Sequence, residues 1–217
     1  MSNKEIDILE LFSGIGGFTK GFQKAGYKIN NHYYSEVDKH AIANYRYNFK
    51  NSTYVGSVTN VRGIIRTVNQ NRSGKLVITF GSPCQDFSLA GKGLGLEGNK
   101  SSLIKYAIFL IKRLRPDVFI WENVKGAFST NDGADYWAII QAFTNLDGYR
   151  CEQQLLNTSW FLPQNRERIY LIGHLAERGG RLIFPIAENV GLSKDSTKGD
   201  TTDRRIMPCL QADYHKT

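Results

Sequence analysis

The chain has 217 residues, 28 Lys and Arg against 20 Asp and Glu for a formal net charge of +8, 41% hydrophobic residues and three cysteines. That length suits one globular domain, and the apolar content excludes wholesale disorder, a collagen-like repeat and a disulfide-stapled mini-protein. No apolar run reaches the roughly 18–20 residues of a membrane span. The opening MSNKEIDILELF carries acids inside its first apolar stretch and offers no cleavage site, which argues against a secretory signal. The unpatterned cysteines point to a reducing, cytoplasmic setting, and no metal-ligand spacing is visible.

Taken in chain order, Ile6–Phe12 reads as a short buried strand, the glycines of Gly14–Gly17 break it, and Phe18–Ala25 resumes at helical spacing. Ile29–Val37 reads as a second strand, and Asp38–Phe49 as a helix with Asp38 at its N-cap. Val61–Asn71 is helical, with Ile64, Ile65 and Val68 on one face. Leu76–Phe80 is a β-branched run ending at Gly81-Ser82-Pro83, the pattern of a central strand opening onto a loop. The loop from Cys84 to Asn99 is glycine-rich and longer than a connector requires, which marks it as a functional lid.

Ser101–Leu114 is an amphipathic helix that Ser101 or Ser102 can cap and Pro116 ends; Val118–Trp121 is a further buried strand. Tyr136–Leu146 reads as a helix, and Tyr149–Asn157 and Arg168–His174 as two final strands forming an antiparallel hairpin at one edge. Strands alternating with helices predict an α/β fold, a mostly parallel sheet with helices on both faces. From Ile186 onward the sequence is polar and aperiodic. The expected division is therefore a domain over 1–185 and a polar linker or tail over 186–217.

The charge is unevenly placed. Residues 51–115 hold ten Lys and Arg and two acids, Asp86 and Glu97, whereas the flanks nearly cancel. A basic middle fits a polyanionic partner or, equally, the wet faces of two helices.

Three groups of residues carry chemistry. Phe12-Ser13-Gly14-Ile15-Gly16-Gly17 joins the first strand to the first helix, where glycines let backbone approach a ligand, and Glu36 follows at the end of the second strand, where nucleotide-binding sheets grip ribose hydroxyls. The pyrophosphate pattern G-x-G-x-x-G fails because position 19 is Thr19, which favours a cofactor without a diphosphate, such as S-adenosylmethionine. Cys84 lies just past a central strand, and Glu122 follows directly on the apolar strand at the same edge, where burial would raise its pKa and make it a proton donor. Arg166 and Arg168 stand at i and i+2, so an extended backbone points both guanidiniums the same way.

The set ELFSGIGGF, SEVDKHA, GSPCQDFS, ENVKG and QNRERIYLIG, in this order from about Asp7 to Gly173, resembles the DNA cytosine-5 methyltransferase family. The resemblance implies the Rossmann-like fold of S-adenosylmethionine-dependent methyltransferases. It implies methyl transfer to carbon 5 of a cytosine flipped out of double-stranded DNA. Cys84 matches the nucleophile that adds to carbon 6, Glu122 the acid that hydrogen-bonds ring nitrogen 3, and Arg166 and Arg168 the arginines that hold the target nucleotide. Phe12, Ser13, Gly14, Gly16, Glu36, Val37, Ser57, Val58 and Pro83 fall at cofactor-binding positions, and Gln85, Ser88, Lys92, Lys100 and Gln164 at DNA-facing ones.

Two positions depart from the family pattern. Val37 stands where many members have an aromatic over the adenine, and Ser57 where the family usually has an Asp, so weaker cofactor affinity is expected. The resemblance also implies a DNA-reading domain and a closing segment beyond residue 185, neither of which is apparent. A shortened product, or one half of an enzyme split over two polypeptides, is therefore expected. A non-catalytic DNA-binding chain, or the same chemistry on RNA, are the alternatives. Restriction–modification protection is the family's commonest use.

Overall fold

The computed structural model describes residues 4–81, 103–128 and 134–186. Among these, strands and helices alternate in the order β1 (Glu5–Leu11), α1 (Gly17–Lys24), β2 (Lys28–Ser35), α2 (Lys39–Asn48), β3 (Thr53–Tyr54), α3 (Val61–Asn71), β4 (Leu76–Gly81), α4 (Ile104–Leu114), β5 (Val118–Val124), α5 (Ala134–Thr144), β6 (Tyr149–Asn157) and β7 (Glu167–Leu175). They build one sheet in the order β3-β2-β1-β4-β5-β7-β6. The pairs from β3 to β5 are parallel, while β7 runs antiparallel to both β5 and β6. The expected α/β sheet and its antiparallel edge hairpin are both present. The two-residue β3 was not anticipated; only its pairing with Tyr33 and Tyr34 of β2 makes it a strand.

Alternate residues of the strands go to opposite faces. Leu9, Leu11, Ile78, Phe80, Phe119, Trp121, Ile169 and Leu171 bury against α3, α4 and α5 in the larger core. Each fully buried aliphatic or aromatic side chain there contributes about 1.5–3 kcal/mol of transfer free energy. Cys151 is buried in the same core, as expected of a small apolar side chain. A smaller cluster of Tyr34, Tyr45 and Phe49 lies where α2 covers the sheet.

Local signals set the helix ends. Asp38 Oδ1 accepts from Ala41 N at 2.7 Å, the cap that the sequence predicts. α4 stops where Arg115 turns left-handed at φ 44°, just before Pro116. Its start is Ile104, and Ser101 and Ser102 lie outside the described residues.

The two edges of the sheet differ. At the edge where the parallel strands begin, Asp7 accepts from Ser73 N (2.7 Å) and Asn31 N (3.0 Å), and Asp117 from Leu76 N and Arg72 Nη2 (both 2.9 Å). These carboxylates hold turns. At the opposite edge the chain runs outward from β1 to β3, then returns with β4 on β1's other side. The carboxyl ends of β1 and β4 therefore flank a topological switch point, the place where open α/β sheets bind ligands.

Candidate active site

One wall of that crevice is the turn after β1. Phe12, Gly14 and Gly16 all have positive φ, at 50°, 53° and 89°. Only Gly16 is forced by space, since a Cβ there would lie 2.2 Å from Phe49 Cε2, whereas a Cβ on Gly14 or Gly17 meets nothing within 4 Å. Glu36 locks the turn: its Oε2 accepts from Gly14 N at 2.8 Å, and its Oε1 from Val37 N (2.7 Å) and Asp38 N (3.0 Å). Oε2 keeps one acceptor position. Ser13 is buried, and its Oγ has no hydrogen-bond partner among the described residues. Tyr54, which sequence reasoning missed, donates its hydroxyl to the Glu36 carbonyl at 2.9 Å.

The other wall is β4 and β5, where Gly81 and Glu122 are paired neighbours. Glu122 was expected to follow its strand, yet β5 continues to Val124 because β7 pairs with it as far as Arg168. Glu122 reaches across the end of β4, and a Cβ on Gly81 would stand 3.0 Å from its Oε2. Gly81 is three residues before Cys84. Arg168 Nε lies 2.9 Å from Glu122 Oε1 and Arg166 Nη2 3.9 Å, so the extended backbone does aim both arginines at one carboxyl group. Glu122 is thus partly buried, as expected, and stands in an ion pair with Arg168, both side chains being about four-fifths buried. Burial, and then the charge on Glu122, push the phenol of Tyr170 above its ordinary value.

Arg166 is set by the segment before β7. Asn157 Oδ1 accepts from Ser159 N (3.0 Å) and Arg166 N (3.2 Å), and Thr158 N donates to Arg166 O (3.0 Å). Gln164 lies exposed in this segment, with its carbonyl accepting from Thr158 Oγ1 at 2.6 Å.

The remaining predicted residues divide in three. Val37 is exposed after β2. Ser57 Oγ lies 2.9 Å from Thr59 Oγ1, and Val58 is buried in the larger core. Pro83, Cys84, Gln85, Ser88, Lys92 and Lys100 lie outside the described residues. Among the described residues, no group of three or more His, Cys, Asp or Glu could hold a metal ion, and no helix is long and apolar enough to cross a membrane.

A sheet with this strand order and an antiparallel β7 beside β5 defines an S-adenosylmethionine-dependent methyltransferase fold, and solved structures share it. A prophage-encoded E. coli protein described as a DNA modification methyltransferase matches 79% of the chain and 47% of its own length, at TM-score 0.64 and 26% identity. A DNMT2 mutant from Spodoptera frugiperda matches in fold at TM-score 0.61 and 22% identity, over 85% of this chain and 53% of its own. The chain belongs to the C-5 cytosine-specific DNA methylase family, whose model matches residues 6–213. Among similar proteins, the type II methyltransferase M.HaeII of Haemophilus aegyptius is 36% identical over 88% of this chain and 57% of its own length. M.NgoBI of Neisseria gonorrhoeae is 36% identical over 76% and 49%. The chain thus spans about half the length of the curated relatives it matches.

Proposed function

We propose that the chain is the catalytic part of an enzyme that methylates carbon 5 of cytosine in double-stranded DNA, with residues 1–185 as the catalytic domain and 186–217 as a polar linker. The observation that carries this reading is the placement of Glu122: it reaches over Gly81, three residues before Cys84, while Arg168 and Arg166 converge on it. Cytosine's carbon 5 is a poor nucleophile. The Cys84 thiolate would add to carbon 6, and Glu122 would hydrogen-bond ring nitrogen 3 as that attack drives charge into the ring. Arg168 holds Glu122 in place, and Arg166, half exposed, is free at its other face to meet a phosphate. When bound, S-adenosylmethionine supplies the electrophilic methyl group. A base then removes the proton from carbon 5, and the released electron pair expels the Cys84 thiolate.

The residues fit that cofactor. Glu36 Oε2 offers an acceptor for a ribose hydroxyl beside a turn whose Gly14 has space for close approach, and the buried Ser13 hydroxyl is unpartnered. Val37 and Ser57 make binding weaker than an aromatic and an Asp would. By the same family resemblance Pro83 is assigned to cofactor binding and Gln85, Ser88, Lys92, Lys100 and Gln164 to DNA contact, in the cytoplasm of a bacterium, the gene being the cell's own or a phage's. Relatives bearing type II methyltransferase names support a restriction–modification role, and their greater length supports a DNA reader supplied by a further segment or second polypeptide. The test is tritium transfer from labelled S-adenosylmethionine to duplex DNA and to RNA. Incorporation into DNA cytosines that Cys84→Ser abolishes supports the reading; incorporation confined to RNA, or none with any DNA even when a candidate reader polypeptide is added, overturns it.

A further inference from the structure

Glu10, the penultimate residue of the buried strand β1, is a carboxylate only 1% exposed, and the chemistry above makes no use of it. Its Oε1 accepts from Phe18 N at 3.2 Å; its Oε2 accepts from Thr19 N (3.3 Å), Thr19 Oγ1 (2.5 Å) and Tyr45 Oη (2.9 Å). His32 Nε2 lies 2.7 Å from Tyr45 Oη and 3.1 Å from Thr19 Oγ1. The two amides belong to the first turn of α1, whose N-cap residue is Gly16 and supplies no capping side chain. Glu10 therefore caps α1 from within the sheet, where a residue at the helix start ordinarily does so.

Counting protons orders the cluster. Thr19 and Tyr45 each have one hydroxyl proton, and an ionised carboxylate only accepts. With both hydroxyls donating to Glu10, the 2.7 Å contact requires the proton of His32 on Nε2, donated to Tyr45 Oη. Burial pushes His32 down to about 4, so the ring is neutral near pH 7 and this contact selects its tautomer. Burial also pushes Glu10 upward, while its four donors oppose the shift.

The turn Phe12–Gly17 is thus held at two ends by carboxylates from neighbouring strands, Glu36 at Gly14 N and Glu10 at the first turn of α1. The Tyr45 ring already packs without its hydroxyl, stacked on Tyr34 at 4.1 Å and tilted against Phe49 at 4.7 Å. The hydroxyl has no packing role to explain it. We propose that Tyr45 and His32 are positioning residues for the cofactor turn, acting through Glu10, whose carboxylate they and Thr19 fix against the amides of α1. This rests on the reading that the turn binds S-adenosylmethionine.

The test combines equilibrium titration of the full chain with S-adenosylhomocysteine and amide hydrogen exchange without ligand, on Tyr45→Phe, Glu10→Gln and the double variant. Tyr45→Phe removes one charge-assisted hydrogen bond, so binding should weaken about tenfold. Exchange should quicken at Phe18 and Thr19 and stay unchanged in β5 and β7. The double variant should bind no more weakly than Glu10→Gln alone, because the hydroxyl acts only through that carboxylate. Wild-type exchange at Phe18 and Thr19 in Tyr45→Phe, or fully additive losses, overturns the proposal. If Glu10→Gln does not fold, Tyr45→Phe and His32→Gln replace the pair, with the same expectation of non-additive losses and the same refutation by additive ones. Should wild type bind no cofactor at all, the reading of the turn falls, while the exchange data still decide whether Tyr45 acts through Glu10.

Discussion

The three glycines of the turn look alike in sequence and should respond differently to alanine. At Gly16 the new Cβ meets Phe49 Cε2 at 2.2 Å and Tyr45 Cε2 at 3.0 Å, and φ is 89°. Left-handed backbone costs a non-glycine residue about 1–2 kcal/mol, and displacing a buried ring costs about 1–3 kcal/mol, so Gly16→Ala should destabilise by roughly 2–5 kcal/mol. At this chain length that lowers the melting temperature by roughly 5–15 °C. At Gly14 only the backbone term applies, because nothing lies within 4 Å of a Cβ there. Gly14→Ala should cost about 1–2 kcal/mol of stability, yet weaken cofactor binding by about tenfold or more, since the methyl group stands where backbone must approach a ligand. Gly17 has neither positive φ nor a neighbour and opens a helix, so Gly17→Ala should be neutral or stabilising by up to about 1 kcal/mol. Urea unfolding and cofactor titration on all three variants check the pattern. Equal stability losses at 14 and 16, or a Gly16→Ala protein as stable as wild type, would refute this account of the turn.

Other consequences follow from the same geometry. Burial lowers His32 from 6.5 to about 4, so the unfolded chain binds the proton more readily between those values, and stability is lost as pH falls from about 6.5 towards 4. His32→Gln, compared with wild type in urea midpoints at pH 7 and 4.5, should remove at most about 3 kcal/mol of acid sensitivity; identical pH slopes would show that the ring of His32 is not buried among Glu10, Thr19, Tyr45 and Phe49. Glu122→Gln should cut methyl transfer by about a hundredfold or more while leaving cofactor affinity within about twofold, and a parallel loss of both would place Glu122 in the cofactor wall instead. Asp117→Ala, at the opposite edge of the sheet, strips buried partners from Leu76 N and Arg72 and should destabilise by about 3–5 kcal/mol. Cofactor binding by its folded fraction should match wild type when titrated well below its melting temperature.

Much of this fold is legible because its signals are local. The apolar runs of β1 and β4, the Asp38 cap and the Arg115-Pro116 stop each determine an element through its own residues. Glu122 was found because a carboxyl group directly after an apolar run is unusual, but its strand runs on through register with β7, a pairing that no local pattern contains. The ion pair of Glu122 is hidden for the same reason, since Arg168 arrives from 46 positions away in sequence. Glu10 gave a sign, an acid between leucines in a buried strand. Thr19 gave another by failing the pyrophosphate pattern. The structure joins them, for Thr19 spends its amide and its hydroxyl on Glu10, and reading that from sequence would require knowing that α2 brings Tyr45 to the same carboxylate. Tyr54 escaped notice because a two-residue strand has no periodicity.

The central claim is that Cys84 attacks cytosine beside the Glu122–Arg168 pair. Duplex DNA carrying 5-fluorocytosine at the target position tests it most directly, because fluorine at carbon 5 cannot leave as a proton does and the thioether to carbon 6 persists. With S-adenosylmethionine and any reader polypeptide present, the account predicts a denaturation-resistant protein–DNA complex, mapped by peptide mass to Cys84, that Cys84→Ser abolishes and Glu122→Gln slows. A complex linked through another residue, or methylated DNA from the Cys84→Ser protein, would contradict it.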